Sequence, residues 1–260
     1  METSAHALLS RWETFYFLVG SSGAALTGLM FIVITLVMLS MLLALWASRS
    51  ALFNEMFVGN DADYQRALEA AQALLQDAEL DIRGEQANGA ACITNSSQPS
   101  VCRNAATITQ FPQETQQVGL LLANLNRATP TSCRDALCTK RTGPQDFWNN
   151  VDETKGITLS QMTAPDVAAR YGQFTGAISE GKSNPILASR ETGKGGWYWI
   201  EILPYDASAG NSGLIANDSP RLALYMQPQV IYRITAIAHG RKSGTQVVLQ
   251  QTYVRQKRRD

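Results

Sequence analysis

Histidine is almost missing from this chain: His6 and His239 are the only two in 260 residues. His6 precedes a long apolar segment, so Ser-His-Asp or Cys-His catalysis would rest on His239 alone, which ends a strand-like run beside a turn and reads as a solvent-facing residue. No HExxH or other metal-ligand cluster occurs. Net charge is missing too, with 22 Lys and Arg against 22 Asp and Glu. No global field therefore draws the protein to nucleic acid or acidic lipid. The one basic run, Arg255, Lys257, Arg258 and Arg259, reads as a solvated tail. Neither a cofactor nor a nucleic-acid partner is expected, and no internal repeat is visible.

The most telling absence is local. Residues 14–48 carry no charged side chain, a run longer than the ~20 apolar residues that cross a bilayer. Its centre, Ala24 to Ala47, is dense in Leu, Ile, Val and Met and is expected to be a transmembrane helix. A secretory signal peptide is the alternative, but its apolar region spans only ~7–15 residues and ends in a small-x-small cleavage site. Here the run is longer and bulky Trp46 sits just before Ala47. The segment is expected to be retained.

The chain passes from this segment into an amphipathic pattern with no linker. Leu52, Met56, Tyr64, Leu68, Ala71, Leu75, Ala78 and Ile82 recur mostly at three- and four-residue steps, which marks one apolar helix face. Gly59-Asn60 interrupts it, and a bend or loosened turn is expected there. A helix from Ala24 to Arg83 would be about 90 Å long, half of it in lipid and half with its stripe covered by a soluble domain. Acidic residues such as Asp61 and Asp63 are expected on its surface or in a turn.

Roughly 200 residues remain beyond the membrane segment, enough for one ordinary domain. Cys92, Cys102, Cys133 and Cys138 all lie there, in stretches rich in Asn, Ser, Thr and Pro. Even number and loop setting point to disulfides and an oxidising compartment. A zinc site is the rival, but the spacings lack a paired C-x2-C arrangement and no histidine is near. Of three connectivities, Cys92–Cys102 with Cys133–Cys138 closes the shortest loops. Charges flanking the apolar run do not fix its orientation, so the cysteines do: the large domain belongs outside the cytoplasm.

Within that domain, residues 84–112 are loop-like and Glu114–Asn126 forms a short helix. Strand signals come late: Tyr171–Ser179, Gly196–Leu203, Leu222–Gln227, and a hairpin of Val230–His239 and Thr245–Val254 turned by Gly240–Gly244. In Gly196–Leu203, Trp197, Tyr198 and Trp199 read as core plus one exposed ring. One letter pattern competes with a structural role: Gly176–Ser183 fits G-x-x-x-x-G-K-[ST], the phosphate-cradling loop. That loop works between a parallel strand and a helix N-terminus, and Asn184-Pro185 and the Gly193–Gly196 turn leave no room for such a helix. The segment is read as a loop between strands.

The chain resembles the PilX-type minor pilins of the type IV pilus. Ser22-Gly23-Ala24-Ala25-Leu26 looks like the family's leader junction, so the resemblance implies prepilin peptidase cleavage between Gly23 and Ala24. Leu52, Glu55, Met56, Gly59 and Asn60 fall on a stretch like LxxRMAGN. Ala67, Ala70, Ala71, Ala73, Leu74, Ala78 and Glu79 fall on one like AxxAAEAALxxAE. Residues 232–236 and 247–253 look like the closing hairpin, and Phe174-Thr175-Gly176 and Trp199–Leu203 are also similar. There are departures. Residues 1–22 hold a single Arg and the apolar run 15–19, Gln72 stands where the family often has Glu, and the fifth residue after Gly23 is Gly28 rather than the Glu of major pilins.

The expected fold is α+β and pilin-like, a long N-terminal helix packed on a C-terminal antiparallel sheet. Its parts are a leader-like segment 1–23, a transmembrane half-helix 24–47, an amphipathic half-helix 48–83 and an extracytoplasmic α+β domain 84–260 with disulfide loops. The resemblance implies a non-enzymatic minor pilin that primes assembly at or near the pilus tip, stored in the bacterial inner membrane with its C-terminal domain in the periplasm. The implied partners are other minor pilins, the major pilin and a tip adhesin. The alternative is a stand-alone membrane-anchored periplasmic binding protein that does not polymerise; a nucleotide-dependent enzyme rests only on the letters at Gly176–Ser183.

Overall fold

A computed structural model describes residues 2–93, 101–103, 105, 107–177, 184–191, 193–205, 226 and 228–255, with side chains from Trp12 onward. The chain forms two compact units, Met1–Gly59 and Asn60–Asp260. Helix α1, Glu2–Arg83, contributes to both. Gly59 and Asn60 lie within its helical residues.

The second unit follows the order α2 (Thr115–Asn126), β1 (Cys133–Arg134), β2 (Leu137–Thr139), α3 (Leu159–Met162), β3 (Ala169–Arg170), α4 (Pro185–Ala188), β4 (Gly196–Pro204), β5 (Val230–His239) and β6 (Gln246–Tyr253). One sheet runs β1-β2-β4-β5-β6, with β3 also paired to β4. All ladders are antiparallel except β2 on β4, where Leu137, Cys138 and Thr139 pair in parallel with Ile200, Glu201 and Ile202. The α+β, pilin-like architecture is therefore as expected, but its sheet is mixed. More than fifty residues separate β2 from β4, a connection long enough to return the chain in the same direction.

Strand β4 is the pivot of the unit. Its alternate residues face opposite ways: Tyr198, Ile200 and Ile202 join Ala67, Ala70, Ala71, Leu74, Ala78 and Ile82 of α1 in one core. Trp197 and Trp199 join Cys133, Cys138, Phe147, Met162 and Ile237 in another. No ring is left outside, contrary to expectation: Trp197 is 4 % exposed and Tyr198 and Trp199 are fully buried. Small side chains on α1 explain the close approach of helix and sheet. A Cβ at Gly196 would fall 2.5 Å from the Leu74 side chain.

Two strand expectations change. Tyr171–Ser179 is turn rather than strand over its described part; Gly172 and Gly176 have positive φ of 71° and 73°, and Gly176 N–H donates to the Gly172 carbonyl at 2.9 Å. Pairing with β4 is confined to Ala169 and Arg170 just before it. Most of Leu222–Gln227 lies outside the described residues, as do residues 178–183 of the G-x-x-x-x-G-K-[ST] match. What flanks that match does not suit a phosphate loop: β3 is antiparallel to β4, and α4 has four residues.

Candidate functional site

The surface that sets this chain apart is the first unit's helix. From Trp12 to Val58 its large apolar side chains are exposed on every side, among them Phe31, Leu36, Leu43, Trp46 and Phe57. A segment within it reaches a mean hydropathy of 2.7. A helix apolar all round suits a hydrocarbon or other helices rather than water. Hydroxyls along it turn back onto the helix: Thr27 Oγ1 donates to the Gly23 carbonyl at 2.7 Å, Thr35 Oγ1 to Phe31 at 3.0 Å, and Ser40 Oγ to Val37 at 2.8 Å. Backbone carbonyls one turn back thus replace water. Gly23 and Gly28 open small notches, since nothing lies within 4 Å of where a Cβ would stand at either.

The expected motif residues divide between the units. Leu52, Glu55 and Met56 are exposed in the first, so the amphipathic face does not begin there within the chain. Tyr64, also expected on that face, is 47 % exposed. Ala71, Leu75, Ala78 and Ile82 of the expected face are buried, and the buried stripe widens from them to take in Asp63, Ala67, Ala70, Leu74, Asp77 and Asp81. Asn60 accepts a hydrogen bond from Lys242 Nζ at 2.9 Å. Glu79, half-buried, accepts one from Gln251 on β6 and lies 4.0 Å from Arg83.

Three carboxylates in the stripe clamp the helix to the rest of the unit, and sequence reading missed them. Asp63, expected at the surface, is buried; its two oxygens accept the Arg241 and Lys242 backbone N–H groups at 2.9 and 3.0 Å. Burial there opposes its charge, but the two amides together with the Thr245 hydroxyl and the Lys242 charge outweigh it and hold its pKa below the usual value. Asp77 accepts from the Thr175 hydroxyl and, at 2.7 Å, from the Gly172 N–H. Burial raises its pKa to about 7 against those two bonds, with nearby Asp81 adding to the rise.

Asp81 receives a two-pronged bond from Arg103, Nε to Oδ1 and Nη2 to Oδ2, both at 2.7 Å. Tyr198 Oη also donates to it at 2.9 Å. Burial and that carboxylate keep the phenol well above its ordinary pKa. Arg103 donates further to the Thr109 carbonyl at 3.0 Å and lies over the Phe174 ring at 3.8 Å. The signal was present in the sequence, because Asp63, Asp77 and Asp81 share a helical stripe with Ala67, Ala70 and Leu74.

On the far side of the sheet Glu201 accepts from Arg233 Nε and Nη2 at 2.5 and 2.9 Å and from the Arg141 N–H at 3.1 Å. His239, expected to face solvent, is half-buried. It packs edge-on against Trp197 with ring centroids 5.6 Å apart, and burial, with Arg170 nearby, lowers its pKa. The four cysteines form Cys92–Cys102 and Cys133–Cys138, the local pairing expected, so they are not zinc ligands. Among the described residues no cluster of His, Cys, Asp or Glu has the make-up of a metal site. These polar groups hold elements together, and none pairs a nucleophile with a base.

The family model described as Type IV pilus assembly protein PilX C-term matches residues 98–255, which take in every element from α2 to β6. Neither the curated proteins nor the solved structures gave a match.

Proposed function

Since the chain belongs to the family of type IV pilus assembly protein PilX, we propose that it is a non-enzymatic minor pilin that primes assembly and occupies the pilus tip or a place near it. Before assembly residues 24–47 anchor it in the inner membrane, and residues 84–260 form its periplasmic portion. Its partners are other minor pilins, the major pilin and a tip adhesin, met mainly through the exposed apolar helix.

The observation that carries this reading is the exposed helix with no carboxylate in residues 14–48 and with Gly28 five residues past the Gly23–Ala24 junction. A carboxylate within lipid is tolerated where it finds a partner, and major pilins, by the resemblance drawn above, place one at that position to meet a neighbouring subunit's amine. A subunit with Gly28 cannot make that pair. It suits a place where filaments begin better than one repeated along the shaft. Clean deletion tests this: pilus number should drop while the remaining shafts look normal, and unchanged piliation would favour the stand-alone membrane protein instead.

Processing by prepilin peptidase between Gly23 and Ala24 is part of the proposal. Gly23→Val is a suitable probe, because a Cβ at Gly23 has nothing within 4 Å of it outside the adjoining helix backbone. Mass spectrometry of the N-terminus from native membranes should give Ala24 in the wild type and an uncut chain in the variant. Intact wild-type chain in cells with active peptidase would contradict cleavage.

A further inference from the structure

The Asp81–Arg103 pair is buried at both ends, with side chains 2 % and 6 % exposed. A buried ion pair repays the loss of hydration only when its geometry is held well. Arg103 is held through its immediate neighbour, Cys102, which is bonded to Cys92. Cys92 is in turn fixed to the end of α1: its N–H donates to the Gly84 carbonyl at 2.8 Å, and Glu85 bridges Ala91. Cys102 sits at a φ of 71°, a left-handed conformation that an L residue adopts at a cost. Its N–H donates to the Phe174 carbonyl at 3.0 Å, which sets the Phe174 ring under the guanidinium. The covalent bond thus fixes the backbone from which Arg103 reaches the helix.

We infer that the Cys92–Cys102 disulfide is a latch that seats Arg103 on Asp81, so that the helix face bearing Asp77 and Asp81 closes against the sheet only in the oxidised chain. In the dithiol chain the Arg103 segment is free to leave. Two acids one turn apart then share the buried face with, among the described residues, hydroxyl and amide donors from Tyr198, Thr175 and Gly172. Oxidation joins the two sulfurs and releases two protons and two electrons, which a disulfide-bearing oxidant accepts to become two thiols. The helix face becomes complete only after export to a compartment that supplies such an oxidant.

A thermodynamic cycle on the full chain in detergent micelles separates this latch from ordinary disulfide stabilisation. Asp81→Asn in the oxidised protein strands the buried Arg103 charge and should lower the folding equilibrium constant by a factor on the order of a hundred. In the Cys92→Ser, Cys102→Ser background the same change should cost less than about tenfold, or raise the constant. Glu201→Gln, whose partner Arg233 lies on β5, should have the same effect in both backgrounds. Equal factors for Asp81→Asn in the two backgrounds overturn the latch. If the serine variant does not fold, adding Asp81→Asn should restore a folded chain, and failure to do so also overturns it. Hydrogen exchange on wild-type protein gives a second readout: reduction should speed exchange at amides 77–83 and leave 196–204 protected, whereas unchanged protection at 77–83 would contradict the proposal.

Discussion

Asp77 and Ala71 sit on the same buried stripe of α1, and each limits what the stripe tolerates in a different way. Asp77 titrates near pH 7 in the folded chain, above the ordinary carboxylate value of 3.8, because burial disfavours its charge. A raised pKa means that the folded state holds the proton more tightly. The stability this contributes is fully present below about pH 4 and is lost as pH rises through about 7. Asp77→Asn should therefore flatten the fall in unfolding free energy between those limits, as read from denaturant melts of the full chain across pH. A wild-type-minus-variant difference that rises with pH would contradict the assignment. Ala71 is a matter of volume. It is fully buried among α1 and sheet side chains, so Ala71→Leu should overpack the interface and destabilise by about 1–3 kcal/mol, seen as a lower denaturant midpoint.

At the scale of elements, the β5–β6 hairpin depends on a helix residue far away in the chain. Asp63 satisfies two turn amides, and a Cβ at Gly240 would lie 2.3 Å from Asp63 Oδ2. Asp63→Ala leaves both amides without their acceptor and should cost about 1–3 kcal/mol, with faster hydrogen exchange at Arg241 and Lys242 before any change in the central strands. Full protection there in the variant would show that the clamp is dispensable. The hairpin itself was legible, because two β-branched runs flank a Gly-bounded turn, and so were β4 and α2 from their apolar patterns.

The missed features have physical reasons. Strands β1 and β3 have two residues each, too few for any periodicity to register. The parallel run of β2 depends on a chain return that no local pattern encodes. The buried face of α1 was legible at Ala71, Leu75, Ala78 and Ile82 but was drawn too far, because apolar side chains were followed past Gly59, whereas Leu52 and Met56 stay exposed and the buried face also includes three aspartates. Those acids are buried only because Arg103, Thr175 and the Arg241–Lys242 amides reach them from distant parts of the chain. Of the candidate site, the apolar helix and the cysteine pairing were readable; of the clamp, only the spacing of its three aspartates was, and not their partners.

At the scale of the whole molecule, the two disulfides and the exposed helix fit the proposed placement in an oxidising compartment and among apolar neighbours. Each disulfide closes a short loop and should contribute about 2–3 kcal/mol by chain entropy. Reduction of both should lower the melting temperature of the full chain, and an unchanged melt would remove them from the account of stability. The central claim is that Gly28 and the helix around it make a subunit that starts filaments without filling them. The most direct test is to count the protein in sheared pili against the major pilin with isotope-labelled peptides, over filaments of different mean length. The account predicts a few copies per filament whatever the length, and abundance rising in proportion to shaft length would contradict it.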